Sequence, residues 1–146
     1  MVKRRTWKPA ESYCKGELGD LINRVKGNDS DAIEEAIAFT VRESFGIWHG
    51  RARASICRNL RNKDISEADK DLLVECICNR LLSGNFSEQF KEQLTMAVRF
   101  RPDELLECAL QALKSDKEYI RRYGAWVENK VHTWRVHLES ERRRTD

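Results

Sequence analysis

The apolar residues of this chain recur every three to four positions, and each run opens on a residue that starts a helix and closes on one that stops it. Pro9 occupies a first helical position; Leu18, Leu21, Ile22 and Val25 follow at helical spacing, and Gly27 ends a first helix over roughly 9–26. Asn28-Asp29-Ser30-Asp31 offers several N-caps for a second stripe, Ile33, Ala36, Ile37, Val41 and Phe45, that Gly46 closes. From about His49 the stripe Ala52, Ile56, Leu60 marks a third helix. After the polar break Asn62-Lys63-Asp64, Ser66 to Asp69 resembles a capping box opening a helix over 66–83, with Gly84 in the C′ position. Ser87 caps a helix carrying Phe90, Leu94, Ala97 and Val98, and Pro102 restarts the chain into another that runs to about Lys114. Ser115 to Glu118 reads as a full capping box ahead of Tyr119, Ile120, Tyr123, Trp126, Val127, Val131, Trp134 and Leu138. The expectation is an all-α fold of about seven helices. Gly124 inside the last stripe requires either a bend or the close approach of another helix.

Two prolines, seven glycines and 35% charged residues suit such a fold, and 146 residues suit one domain with one core. The domain divides into a basic segment and capping helix (1–27), helix pairs (28–116), a long C-terminal helix (117–140) and a frayed tail (141–146). No stretch is apolar for long enough to cross a bilayer, and no apolar core follows the basic start as in a signal peptide, so a cytoplasmic location is expected. The five cysteines (Cys14, Cys57, Cys76, Cys78, Cys108) are odd in number and four sit in apolar helical runs, which fits free thiols in a reducing compartment.

A pattern repeats inside the chain. Asp31, Ile33, Glu35, Ala36 and Val41 match Asp71, Leu73, Glu75, Cys76 and Leu81, and these match Asp103, Leu105, Glu107, Cys108 and Leu113. The copies start 40 and 32 residues apart, near the period of two-helix repeats, and a differently patterned helix follows each. Over roughly residues 29–138 the chain resembles the HEAT and armadillo class, and Arg51 to Leu60 is similar to the second helix of a HEAT unit. The resemblance implies a short right-handed stack of helix pairs, an α-α superhelix, whose second helices line the concave surface.

Charge sorts by helix. The first helices of the three pairs (28–45, 66–83, 102–116) carry −4, −2 and −3, whereas the segments that follow them (49–63, 86–101, 117–146) carry +5, +1 and +3, although the whole chain is only +3. With the resemblance, this implies a basic inner face. On the third helix a 100° step per residue sets Arg51, Arg58 and Arg61 within an arc of about 80°, with no acid beside them on that helix. Such a row suits phosphate contacts, and Lys63, Arg99, Arg101, Arg121 and Arg122 extend it onto later segments. Against this stands pairing of basic with acidic helices across the repeat.

Arg42 and His49 formally meet the Arg-x(4 to 6)-His spacing of HEPN-type ribonucleases, but Gly46 between them breaks the surface that acid-base work needs. His49 reads as a surface or boundary residue. His132 and His137 are about 140° apart on a helix and Cys76 and Cys78 face different sides, so neither pair makes a metal site. Trp48 beside Arg51 is faintly similar to the tryptophans of HEAT-like DNA glycosylases, yet no second-helix aspartate takes the catalytic place, and Trp126 and Trp134 read as core. Glu34, Glu35, Glu75 and Glu107 fall at caps and on outer faces rather than in a catalytic pair. No residue is therefore assigned to catalysis, a cofactor or a metal. The expected function is a non-enzymatic scaffold that binds another protein, with nucleic-acid binding through the basic face as the alternative and a membrane role excluded.

Overall fold

The computed structural model describes residues 6–86 and 89–145, and every regular element among them is helical. After a 3-10 turn at Ala10–Ser12 come α1 (Lys15–Lys26), α2 (Ser30–Val41), α3 (Ile47–Leu60), α4 (Glu67–Ser83), α5 (Phe90–Phe100), α6 (Pro102–Ala112) and α7 (Glu118–Thr145). The all-α architecture with seven helices stands. The helices form two layers: α2, α4 and α6 lie side by side in one, and α1, α3 and α5 in the other, with α7 packed along α6 and closing the far end. The three helices that carry the repeated sequence pattern therefore form one layer.

Several boundaries follow from local chemistry. Asp29 caps α2 by accepting from the backbone N–H groups of Asp31 and Ala32, and Ser66 caps α4 by accepting from Asp69. Gly84 ends α4 in the left-handed conformation at φ 78°, where a side chain would also collide with Tyr119. Pro102 is the first residue of α6, directly behind α5. The cap read at Ser87 lies outside the described residues.

Other boundaries move. Pro9 precedes only the 3-10 turn; α1 starts after Cys14, which is extended (ψ 168°) and whose backbone N–H donates to Glu17. Gly46 does not end α2 but opens α3 with φ 141°, while α2 stops at Val41 because Arg42 is extended. Ser115 accepts from Lys117 rather than capping Glu118, and α7 runs on to Thr145 through the segment read as a frayed tail. Gly124 marks a close approach: a Cβ there would lie 3.0 Å from the Ala109 carbonyl oxygen and from the Ala112 Cβ of α6.

The core runs between the layers, with Phe39, Ile56, Leu60, Leu73, Ile77, Leu81, Phe90, Leu94, Met96, Leu105 and Ile120 fully buried. Each such side chain contributes roughly 1.5–3 kcal/mol relative to exposure. Phe86 stacks on Phe90 at 4.5 Å and meets Tyr123 edge-on at 4.7 Å, joining α5 to α7. Trp126 is half-buried against this core, and Trp134, read as core, is half-buried outside it, between Arg99 and His137. Cys57 and Cys108 are buried, Cys76 and Cys78 half-buried, and Cys14 exposed, all as free thiols. Cys76 points to the Val41 carbonyl on α2 and Cys78 lies against Cys108 on α6, so the two do face different neighbours. No helix of the described residues is long and apolar enough to cross a membrane.

Candidate functional site

The arginines proposed from sequence lie in the α1/α3/α5 layer and on α7, and most of them have local partners. Arg58 and Arg61 share one carboxylate, Glu92 of α5, at 3.4 and 3.9 Å. Arg51 is exposed and rests over the Trp48 ring at 5.3 Å, and Arg99 over the Trp134 ring at 5.4 Å. Lys63 turns to the α1–α2 junction, donating to Asn28 Oδ1 at 2.5 Å and to the Lys26 carbonyl. Arg101 bonds Glu67 and, at 3.1 Å, Asp71, across to α4. Arg121 donates to the Ser115 carbonyl at 2.7 Å and Arg122 to Glu118 at 3.3 Å. A cleft of about 350 Å³ between α5 and α7, floored by Tyr123, Ala125 and Trp126, has Lys91 and Arg122 at its edges.

The most organised polar cluster lies elsewhere, at the turn between α2 and α3, and it uses two arginines not among these. Arg53 of α3 and Arg80 of α4 are each only 5% exposed. Their guanidinium groups take up the carbonyls that the end of α2 leaves without helical donors. Arg53 donates to the Arg42 carbonyl and to Ser44 Oγ, both at 2.6 Å, and to the Ser44 and Phe39 carbonyls at 3.2 and 3.4 Å. Arg80 donates to the Thr40 and Arg42 carbonyls at 2.7 and 3.3 Å, to Glu43 at 2.9 Å and to Gln93 of α5 at 2.9 Å. Burial, and then the neighbouring charge of Arg80, brings Arg53 down to about 10 from the usual arginine value. Two cations at a helix C-terminus also meet the negative end of its dipole.

His49 completes the brace and is buried, not at the surface as its flanking residues suggest. Its Nε2 lies 2.9 Å from the Tyr13 carbonyl, an acceptor, so Nε2 carries the proton in the neutral ring and Nδ1 accepts from Ser44 Oγ at 2.7 Å. Arg42 points away, donating to the Ala38 and Lys8 carbonyls, so Arg42 and His49 share no surface. With both ring nitrogens committed, His49 positions the turn. Tyr13 in turn donates to Glu35 at 2.7 Å, and burial followed by that carboxylate raises its phenol to about 12.

The brace thrusts apolar side chains outward. Phe45 is 84% exposed, Ile47 72% and Trp48 44%, on a turn whose backbone is held from beneath. Lys15 sits over the Trp48 ring at 4.0 Å. Beside the turn opens a cavity of about 180 Å³ lined by Phe45, Gly46, Phe86, Arg53, Arg80 and Gln93. Sequence periodicity holds a signal for the buried arginines: His49, Arg53, Cys57 and Leu60 are spaced as one face of α3, and Leu73, Cys76, Ile77 and Arg80 as one face of α4. No group of His, Cys, Asp and Glu among the described residues has the arrangement of a metal site. Comparison with protein-family models, curated proteins and solved structures finds no match.

Proposed function

We propose that this chain is a non-enzymatic binding module of HEAT-like helix pairs, and that it docks another protein through the α2–α3 turn. The carrying observation is that Phe45, Ile47 and Trp48 are left in solvent on a backbone fixed by Arg53, Arg80 and His49. An apolar group ordered before binding loses little entropy on docking, which is how a few aromatic anchors come to dominate an interface. The cavity beside Phe45 offers room for one side chain of the partner. The HEAT-like organisation is supported by the side-by-side packing of the three pattern-bearing helices.

The test is a photo-crosslinking residue placed at position 45 and, as a control, at exposed position 129, in cells that express the chain. A protein crosslinked at 45 and not at 129 is then purified and its affinity measured. Phe45→Ser/Ile47→Ser should weaken it about 1,000-fold, since hot-spot side chains contribute about 2 kcal/mol or more each and every 1.4 kcal/mol is about tenfold. No crosslink specific to 45, or an affinity unchanged by the double substitution, refutes the reading.

The α5–α7 cleft favours one alternative, nucleic-acid binding, because it joins aromatic rings to the cations Lys91 and Arg122, with Lys130 over Trp126 at 5.6 Å. Salt-sensitive binding of single-stranded RNA or DNA, lost in Lys91→Glu/Arg122→Glu, would place that alternative first.

A further inference from the structure

A second surface, on the opposite layer, carries its own partner chemistry. Between α2 and the start of α4 runs a groove of about 640 Å³. Its floor is apolar: Ile33, Ile37 and Val41 descend α2 at intervals of four residues, and Ile65 and Leu72 face them from the α4 side. Trp7 walls one side. Eight rises of about 1.5 Å from Ile33 to Val41 make the floor about 12 Å long, or about two helical turns. The rim is acidic, with Glu34, Asp64 and Asp69. Among the described residues none of these three is ion-paired, in contrast to Glu35, Glu67, Asp71 and Asp103. Arg42 is the one cation of the lining among the described residues, and its Nε and Nη1 are bonded to backbone carbonyls.

We infer that this groove receives a basic amphipathic helix from a protein partner. A straight apolar floor between two helices accepts a third helix whose own apolar residues recur at i, i+4 and i+7, and Lys or Arg flanking that stripe would meet the carboxylates of the rim. Desolvation of the half-buried Ile33, Val41 and Leu72 supplies the affinity, and the rim selects the sign of the partner. The inference rests on the reading of the chain as a protein-binding module, but it uses none of the exposed apolar residues Phe45, Ile47 and Trp48, so the two surfaces fail or succeed separately.

The test uses a fluorescent, end-capped synthetic peptide of about 16 residues, helical, with leucine along one face and lysine on both flanks, and its twin with glutamate for lysine. Anisotropy is measured against the full chain at low and high salt. The lysine peptide should bind with micromolar affinity that salt weakens, and the glutamate twin should not bind. Glu34→Lys/Asp64→Lys should cost at least tenfold. Ala68→Trp, at an exposed position of the lining, should block the groove without touching the core. Phe45→Ser/Ile47→Ser should leave peptide affinity unchanged, while circular dichroism verifies the fold of each variant. The inference is overturned by no binding, by equal binding of the two peptides, or by either groove variant binding as well as wild type. It is also overturned if light scattering shows a dimer that Ala68→Trp dissociates, since the groove would then hold a second copy.

Discussion

Replacing Arg53 with methionine removes the guanidinium while keeping an unbranched side chain in its place. Four acceptors lose the bond from Arg53, the Arg42 carbonyl and Ser44 Oγ at 2.6 Å and the Ser44 and Phe39 carbonyls at longer range, although the Arg42 carbonyl keeps Arg80 and the Phe39 carbonyl keeps the Arg42 N–H. A charged hydrogen bond contributes about 1.5–3 kcal/mol, and a buried acceptor left alone costs about 1–3 kcal/mol. Relief from burying the cation, already reflected in its lowered pKa, cancels part of this. The net loss should be about 3 kcal/mol, read as a fall in Tm of about 6–12 °C for a chain of this length. Arg80→Met should cost a similar amount. The double substitution should cost about 1 kcal/mol more than the sum, because only then does the Arg42 carbonyl lose both arginine donors, and because each single substitution also relieves the repulsion between the two cations. Arg53→Lys should recover less than half, since an ammonium cannot spread its donors over the carbonyls and Ser44 together. Urea unfolding followed by circular dichroism measures all four variants. A cost below about 1 kcal/mol for Arg53→Met, or strict additivity of the pair, would refute the brace.

Two further outcomes test the packing. Gly124→Val should destabilise the chain by about 2–3 kcal/mol, because its Cβ meets the Ala109 carbonyl and Ala112 at 3.0 Å; an unchanged melting curve would show that α6 and α7 are not so close. Tyr13 should ionise near pH 12 rather than 10. Its raised value means stability is full below pH 10 and declines as pH rises toward 12, a window that Tyr13→Phe should remove; a phenolate signal from Tyr13 already complete near pH 10 would contradict its bond to Glu35.

The parts legible in sequence are those set by local chemistry. Ser66 and Gly84 delimit α4, Pro102 starts α6, and Gly124 announces either a bend or a close helix, of which the structure has the second, each because a backbone requirement is written in one residue type. The repeated Asp/Leu/Glu pattern likewise identifies helices that pack as neighbours. What misled was residue identity where tertiary contacts decide. Arg53 counts as one more positive charge on a basic helix, and its burial depends on carbonyls fourteen and eleven residues earlier. Gly46 looks like a stop for α2, yet the carbonyls that Arg53 and Arg80 capture end that helix sooner and leave the glycine to open α3. Charges summed by segment leave open whether the basic row is free or paired, and only three-dimensional placement shows Arg58 and Arg61 converging on Glu92.

Arg80 has a bearing on how this chain comes apart. Arrays of helix pairs touch only their neighbours, so they fray unit by unit from the ends, like a zipper. Here one side chain rooted in α4 holds the last carbonyls of α2 and the amide of Gln93 on α5, and so spans both layers and successive pairs. Opening the first pair strands a buried cation in the second. The segment from α2 to α5 is thereby bound into one cooperative unit, whose amide protons exchange with solvent together, while the far turns of α7, beyond its last contact with α6, exchange on their own.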